Sequence, residues 1–162
     1  MTLSQKETML LQDLKSHEKL CVDKYAQYSS EASDSQLKNL FSQIGQTEQN
    51  HLNTIEQIMS GTVPTMSSSS GGSQGSSSSQ QQSSSTASAT STYSSNSSGK
   101  QRDQFLCSDI LATEKHVSSV YDTSIFEFKD DQVRNALNHI QKEEQQHGKQ
   151  IYDFMSANGM YS

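Results

Sequence analysis

The chain has 162 residues, a formal net charge of −6 at pH 7, 30% hydrophobic residues and two cysteines. An acidic balance without a basic cluster argues against a nucleic-acid or anionic-membrane partner, and no apolar run approaches the ~20 residues that a bilayer crossing needs. The absence of any C-x-x-C excludes a zinc ribbon or a rubredoxin-type iron site.

Met1 to Glu7 lack the charged-then-apolar layout of a signal peptide, so synthesis in the cytoplasm is expected. From about Ser4 to Ser30, Leu11, Leu14, Glu18, Cys21, Tyr25 and Tyr28 recur at steps of three and four, which predicts one long helix with Glu18 on its apolar stripe. Asp34 then offers a cap to a second helix, about Asp34 to Ser60, whose stripe is Leu37, Phe41, Ile44, Glu48, His51, Ile55 and Ile58. Gly61 and Pro64 end it.

Residues 61–100 are almost all small and polar and read as a disordered Ser/Gly/Gln-rich linker. A third helix, about Gln101 to Glu127, carries Cys107, Ile110, Glu114, Val117 and Tyr121. A fourth, about Asp130 to Asn158, carries Val133, Leu137, Ile140, Glu144, His147, Ile151 and Phe154, and ends at Asn158-Gly159. Cys21 and Cys107 read as small buried apolar side chains.

The two halves repeat. Aligned without a gap at a shift of 96, residues 9–59 share 15 identities with 105–155, and Glu18, Glu48 and His51 fall on Glu114, Glu144 and His147. The expected fold is therefore all-α: a ferritin-like four-helix bundle built from two helix hairpins, 1–60 and 101–162, joined by the long linker 61–100. Neither hairpin is large enough to bury a sufficient core alone, so the two form one domain. A crossover along the bundle spans ~40 Å, which ~12 extended residues cover.

Each hairpin carries Glu-x-x-His, Glu48 with His51 and Glu144 with His147, and residues three apart on a helix point the same way. Glu18 and Glu114 lie nearly as far before each bend as Glu48 and Glu144 lie after it, so all six can meet at one level. Four buried carboxylates cannot all stay ionised unaided. Two divalent ions would bring +4 against −4 with both histidines neutral, the arrangement of di-iron and di-manganese carboxylate bundles. The expected metal ligands are Glu18, Glu48, His51, Glu114, Glu144 and His147, with iron foremost and manganese or zinc as alternatives. A lone Glu-x-x-His usually lies on a solvated face; six such residues in core register argue against that. Tyr25 and Tyr121, on the same stripes, serve either as partners of a ligand carboxylate or as core tyrosines. His17, His116 and His139 fall off the stripes and read as surface side chains.

The stretches Leu10 to Cys21, Leu37 to Phe41, Ser124 to Phe128 and Ala136 to His147 resemble the spore coat protein F (Coat F) family of endospore-forming bacteria. That family is ferritin-like in fold, and the resemblance implies a structural or protective role in the coat. It also implies synthesis in the mother cell, deposition in the endospore coat, and other coat proteins or further copies of the chain as partners. The chain is also similar to rubrerythrins, which share the constellation and reduce peroxide but carry a C-x-x-C module and extra carboxylates. The alternatives are a soluble rubrerythrin-like or ferritin-like di-iron oxidase or peroxidase, and a metal-free structural bundle.

Overall fold

The computed structural model describes residues 2–64, 93 and 97–161. Most of the linker expected at 61–100 lies outside the described residues. Four helices account for nearly all the rest: α1 (Gln5–Glu31), α2 (Ser35–Met59), α3 (Ser98–Ile125) and α4 (Asp131–Ala157).

Side-chain caps define three of the starts much as the sequence suggests. Ser4 and Glu7 form a reciprocal capping box on α1, and the Asp34 and Asp130 carboxylates accept the first free N–H groups of α2 and α4. The exception is α3, which begins at Ser98, three residues before the expected Gln101. Ser97 caps it, and Gly99 lies so close to the α1–α2 bend that a Cβ there would sit 3.1 Å from the Ser33 Cβ. The same helix stops at Ile125, two residues short of the expected Glu127. Positive φ at Gly61 (92°) and Gly159 (61°) closes α2 and α4.

Each helix buries one stripe. Leu11, Leu14, Cys21 and Tyr25 of α1 interlock with Leu37, Phe41, Ile55 and Ile58 of α2, and Cys107, Ile110, Val117 and Tyr121 of α3 meet Val133, Leu137, Ile140 and Ile151 of α4; all are buried. Both cysteines are thus core side chains and neither is in a disulfide. Helices α1 and α2 pack as one hairpin and α3 and α4 as the other, with α1 beside α3 and α2 beside α4.

The two hairpins are related by an approximate two-fold axis across the bundle, and their contacts come in reciprocal pairs at the shift of 96. Tyr25 donates to Glu114 and Tyr121 to Glu18. Lys6 pairs with Glu127 and Arg102 with Glu31. Deeper in, Glu7 accepts the Lys129 N–H at 3.1 Å, while Asp103, fully buried, accepts the N–H groups of Ser33 and Asp34 at 2.7 and 2.9 Å and the Tyr93 hydroxyl. Each hairpin's first helix therefore latches onto the bend of the other hairpin. These latches put the start of α3 beside the α1–α2 bend, at the opposite end of the bundle from the end of α2. A crossover the length of the bundle follows from that topology.

Candidate metal centre

The six sequence-singled residues occupy stripe positions on all four helices, one Glu each from α1 and α3 and a Glu-x-x-His from α2 and α4. They converge at mid-height, each no more than 5% exposed. Their ligand atoms form two groups, Glu18, Glu48, His51 and Glu144, and Glu48, Glu114, Glu144 and His147, with all atoms of a group within 4.8 Å of one another. Glu48 and Glu144 are common to both. The imidazoles stack across the centre with ring centroids 5.6 Å apart.

Both histidines turn Nδ1 inward. His51 Nδ1 lies 3.0 Å from Glu144 Oε1, 3.6 Å from Glu48 Oε2 and 3.7 Å from Glu18 Oε2; His147 Nδ1 lies 2.7 Å from Glu48 Oε1 and 3.9 Å from Glu114 Oε2. These approaches lack hydrogen-bond alignment. Both Nδ1 atoms, both oxygens of Glu48 and of Glu144, and one oxygen each of Glu18 and Glu114 are buried without a hydrogen-bond partner.

Such crowding disturbs the charges. Burial, reinforced by the Glu48 charge, pushes Glu18 up to about 8 against the pull of His51. Burial likewise raises Glu144 to about 7, and with Glu144 alongside it raises Glu114 well above the ordinary carboxyl range. Burial also acts to raise Glu48, but the two imidazoles beside it bring it down to about 2. Burial disfavours a charged His51, yet Glu143, Glu144 and Glu48 carry it up to about 12. Left to itself, the cluster is short of positive charge. A buried group with no partner costs ~1–3 kcal/mol, and more when ionised. The carboxylate and imidazole donor set suits iron, manganese or zinc.

A second layer orients these groups. Tyr25 and Tyr121, whose hydroxyls burial holds firmly protonated, donate to Glu114 and Glu18 of the opposite hairpin. The sequence offered two roles for them; the partner role is the one they fill. Glu143 lies 2.9 Å from His51 Nε2, leaving Nδ1 for the centre, and His139 reaches the same carboxylate at 3.4 Å from a half-buried position. His17 and His116, also off the stripes, lie edge to face at 5.1 Å on the α1–α3 side. Cys21 abuts the cluster; burial, with Glu48 and the other three glutamates, drives its thiol far up and keeps it neutral.

Sequence reasoning missed Glu143, Glu7 and Asp103. Glu143 sits one position off the stripe, and only the α2–α4 contact gives it a role. Glu7 and Asp103 did leave a signal, since each extends its helix's stripe by one step and the two stand 96 apart.

The fold and this cluster define a class: a duplicated-hairpin four-helix bundle with a buried carboxylate–histidine centre. Within it, residues 102–162, the second hairpin, match the family model described as the Coat F domain. That second hairpin is thus a Coat F domain, which supports a place for the chain among spore coat proteins. No curated protein and no solved structure matches it. Among the described residues, no helix is long and apolar enough to cross a membrane.

Proposed function

We propose that this chain is a spore coat protein and holds two divalent metal ions, iron foremost and manganese or zinc as alternatives, in a ferritin-like dinuclear centre made by Glu18, Glu48, His51, Glu114, Glu144 and His147. The observation that carries this reading is the set of eight buried oxygen and nitrogen atoms without hydrogen-bond partners, all on these six side chains. Four carboxylates and two neutral imidazoles balance two divalent ions.

Bound iron would supply one-electron redox chemistry, fitting a protective role against free iron or oxidants within the coat. The chain's own residues do the rest. Glu48 and Glu144, which belong to both donor groups, would help to hold either ion. Tyr121 and Tyr25 hold the carboxylates of Glu18 and Glu114, and Glu143 fixes the ring of His51. The surrounding aliphatic core keeps bulk water out, so charge interactions there are strong.

Metal analysis of the purified protein tests the proposal, with two ions per chain expected. Glu48→Ala and Glu144→Ala should each abolish two-ion binding while helicity is kept. Full binding by both variants would remove these residues from the centre; a metal-free native protein that binds nothing on reconstitution would leave a purely structural coat bundle.

A further inference from the structure

The centre is sealed on most sides, and a metal ion needs a way in. A pocket of about 390 Å³ opens between α3 and α4, and its lining includes Leu111, Glu114, Ser118, Glu144, Gly148 and Tyr152. Its floor is thus formed by two of the six donors, which are 2% and 1% exposed and carry buried oxygens without partners. Tyr152 and Tyr161, in edge-to-face contact at 4.9 Å, stand at its outer end, and Lys115 lies exposed at the rim.

The groove seen in the other hairpin differs. It lies between α1 and α2, measures about 340 Å³, is lined by Val22, Tyr25, Phe41 and Gly45 among others and touches none of the six donors. The repeat explains the difference: Gly148 stands where the first hairpin has Leu52, and Ser118 where it has Val22.

Gly148 has no evident packing reason to be glycine. A Cβ there would meet nothing closer than the Leu111 Cδ1 at 3.5 Å, an ordinary contact. At Gly45, by contrast, it would come within 3.1 Å of the Tyr25 Cβ. Glycine is among the poorest residues for a helix interior, so its presence at 148 calls for another reason, and the open pocket supplies one.

We infer that this α3–α4 pocket, opened by Gly148 and Ser118, is the port through which divalent cations reach the buried centre. The inference rests on the dinuclear reading above. The unpartnered oxygens of Glu114 and Glu144 at the floor offer an entering cation its first ligands. The ion position beside Glu114 and His147 is then the first to fill and the first to exchange.

The test uses the full chain, stripped by a chelator, and follows uptake of Co²⁺ by visible absorption in a stopped-flow mixer. Gly148→Leu, which gives the second hairpin the residue of the first, should slow uptake roughly tenfold or more, because loading then waits on local opening of the helices. The final content should stay at two Co²⁺ per chain, and Leu52→Gly should leave the rate nearly unchanged. Ser118→Val should slow uptake to a lesser degree and carries the test if Gly148→Leu fails to fold. Two bound ions with an unchanged rate in the folded variants would overturn the port and leave the centre standing. A wild-type chain that takes up no Co²⁺ would overturn both.

Discussion

Replacing Glu18 by glutamine should make the metal-free protein more stable at neutral pH while weakening its hold on metal. Glu18 is fully buried; one oxygen accepts the Tyr121 hydroxyl and the other has no partner. Burial first, and then the charge of Glu48, lift its pKa from 4.5 to about 8. For an acid whose folded value lies above its unfolded one, stability is fully present below the unfolded pKa and is lost as pH rises through the folded pKa. From 4.5 to 7, at ~1.4 kcal/mol per pH unit, keeping Glu18 protonated costs the fold ~3 kcal/mol. Glu144 and Glu114 erode stability in the same direction. Glu48 contributes stability that is lost only as pH falls from 4.5 towards 2, and His51 contributes stability that is lost only as pH rises towards 12. The amide does not titrate and keeps an acceptor for Tyr121, but burying it costs ~1–2 kcal/mol. The net gain at pH 7 is therefore ~1–2 kcal/mol, or several degrees in Tm. Urea unfolding followed by circular dichroism, with chelator present and at pH 5, 6, 7 and 8, should show the advantage of Glu18→Gln growing with pH. A variant that is equally destabilised at pH 5 and pH 8 would refute the idea that this carboxylate is carried at a cost to the metal-free fold.

Tyr121→Phe leaves a Glu18 oxygen buried and alone, and should cost ~1–3 kcal/mol in urea unfolding of the metal-free protein. By loosening a ligand's support it should also lower metal affinity ~10–100-fold, measured by chelator competition; unchanged affinity would reduce Tyr121 to a core side chain. Asp103→Ala strips partners from the Ser33 and Asp34 N–H groups and from the Tyr93 hydroxyl, and should cost ~3 kcal/mol or more by urea unfolding. Glu7→Ala, which removes one latch bond and half of a capping box, should cost less, ~1–2 kcal/mol. Gly148→Ala should stabilise by up to ~1 kcal/mol, because its Cβ has room and alanine favours a helix. Gly45→Ala should instead destabilise by ~1–3 kcal/mol through the close Tyr25 contact; thermal melts of the pair give the sign of each.

Much of the architecture was legible because the mid-height of the four stripes is apolar except for the six polar residues. A glutamate or histidine on an otherwise apolar stripe has nowhere to go but inward, and four such stripes at one height define the cluster before any packing is known. The start of α3 was hidden because Ser97, Ser98 and Gly99 continue the composition of the preceding stretch. Only the proximity of Ser33 gives Gly99 a reason to be there. Glu143 could not be read because its role depends on which way α4 faces α2. The cross-hairpin destinations of Tyr25 and Tyr121 were equally out of reach, since a stripe tells which face is buried and not which helix it meets. The Gly148 and Leu52 difference was present in the repeat, but it acquires meaning only with the pocket.

The reciprocal contacts make each half of the molecule depend on the other, as two protomers do across a dimer axis. Two copies of the first hairpin about a true two-fold would already bring together Glu18, Glu48 and His51 twice over, the same six donors. Covalent linkage adds no donor to that set, but it frees the halves from having to be identical. In this chain they have diverged on the flanks of the centre: Glu143 steadies His51 where the other half has Thr47, and Gly148 thins the wall beside His147 where the other half has Leu52. A strictly symmetric pair of chains must buttress both sides or thin both; a tethered pair can do one on each.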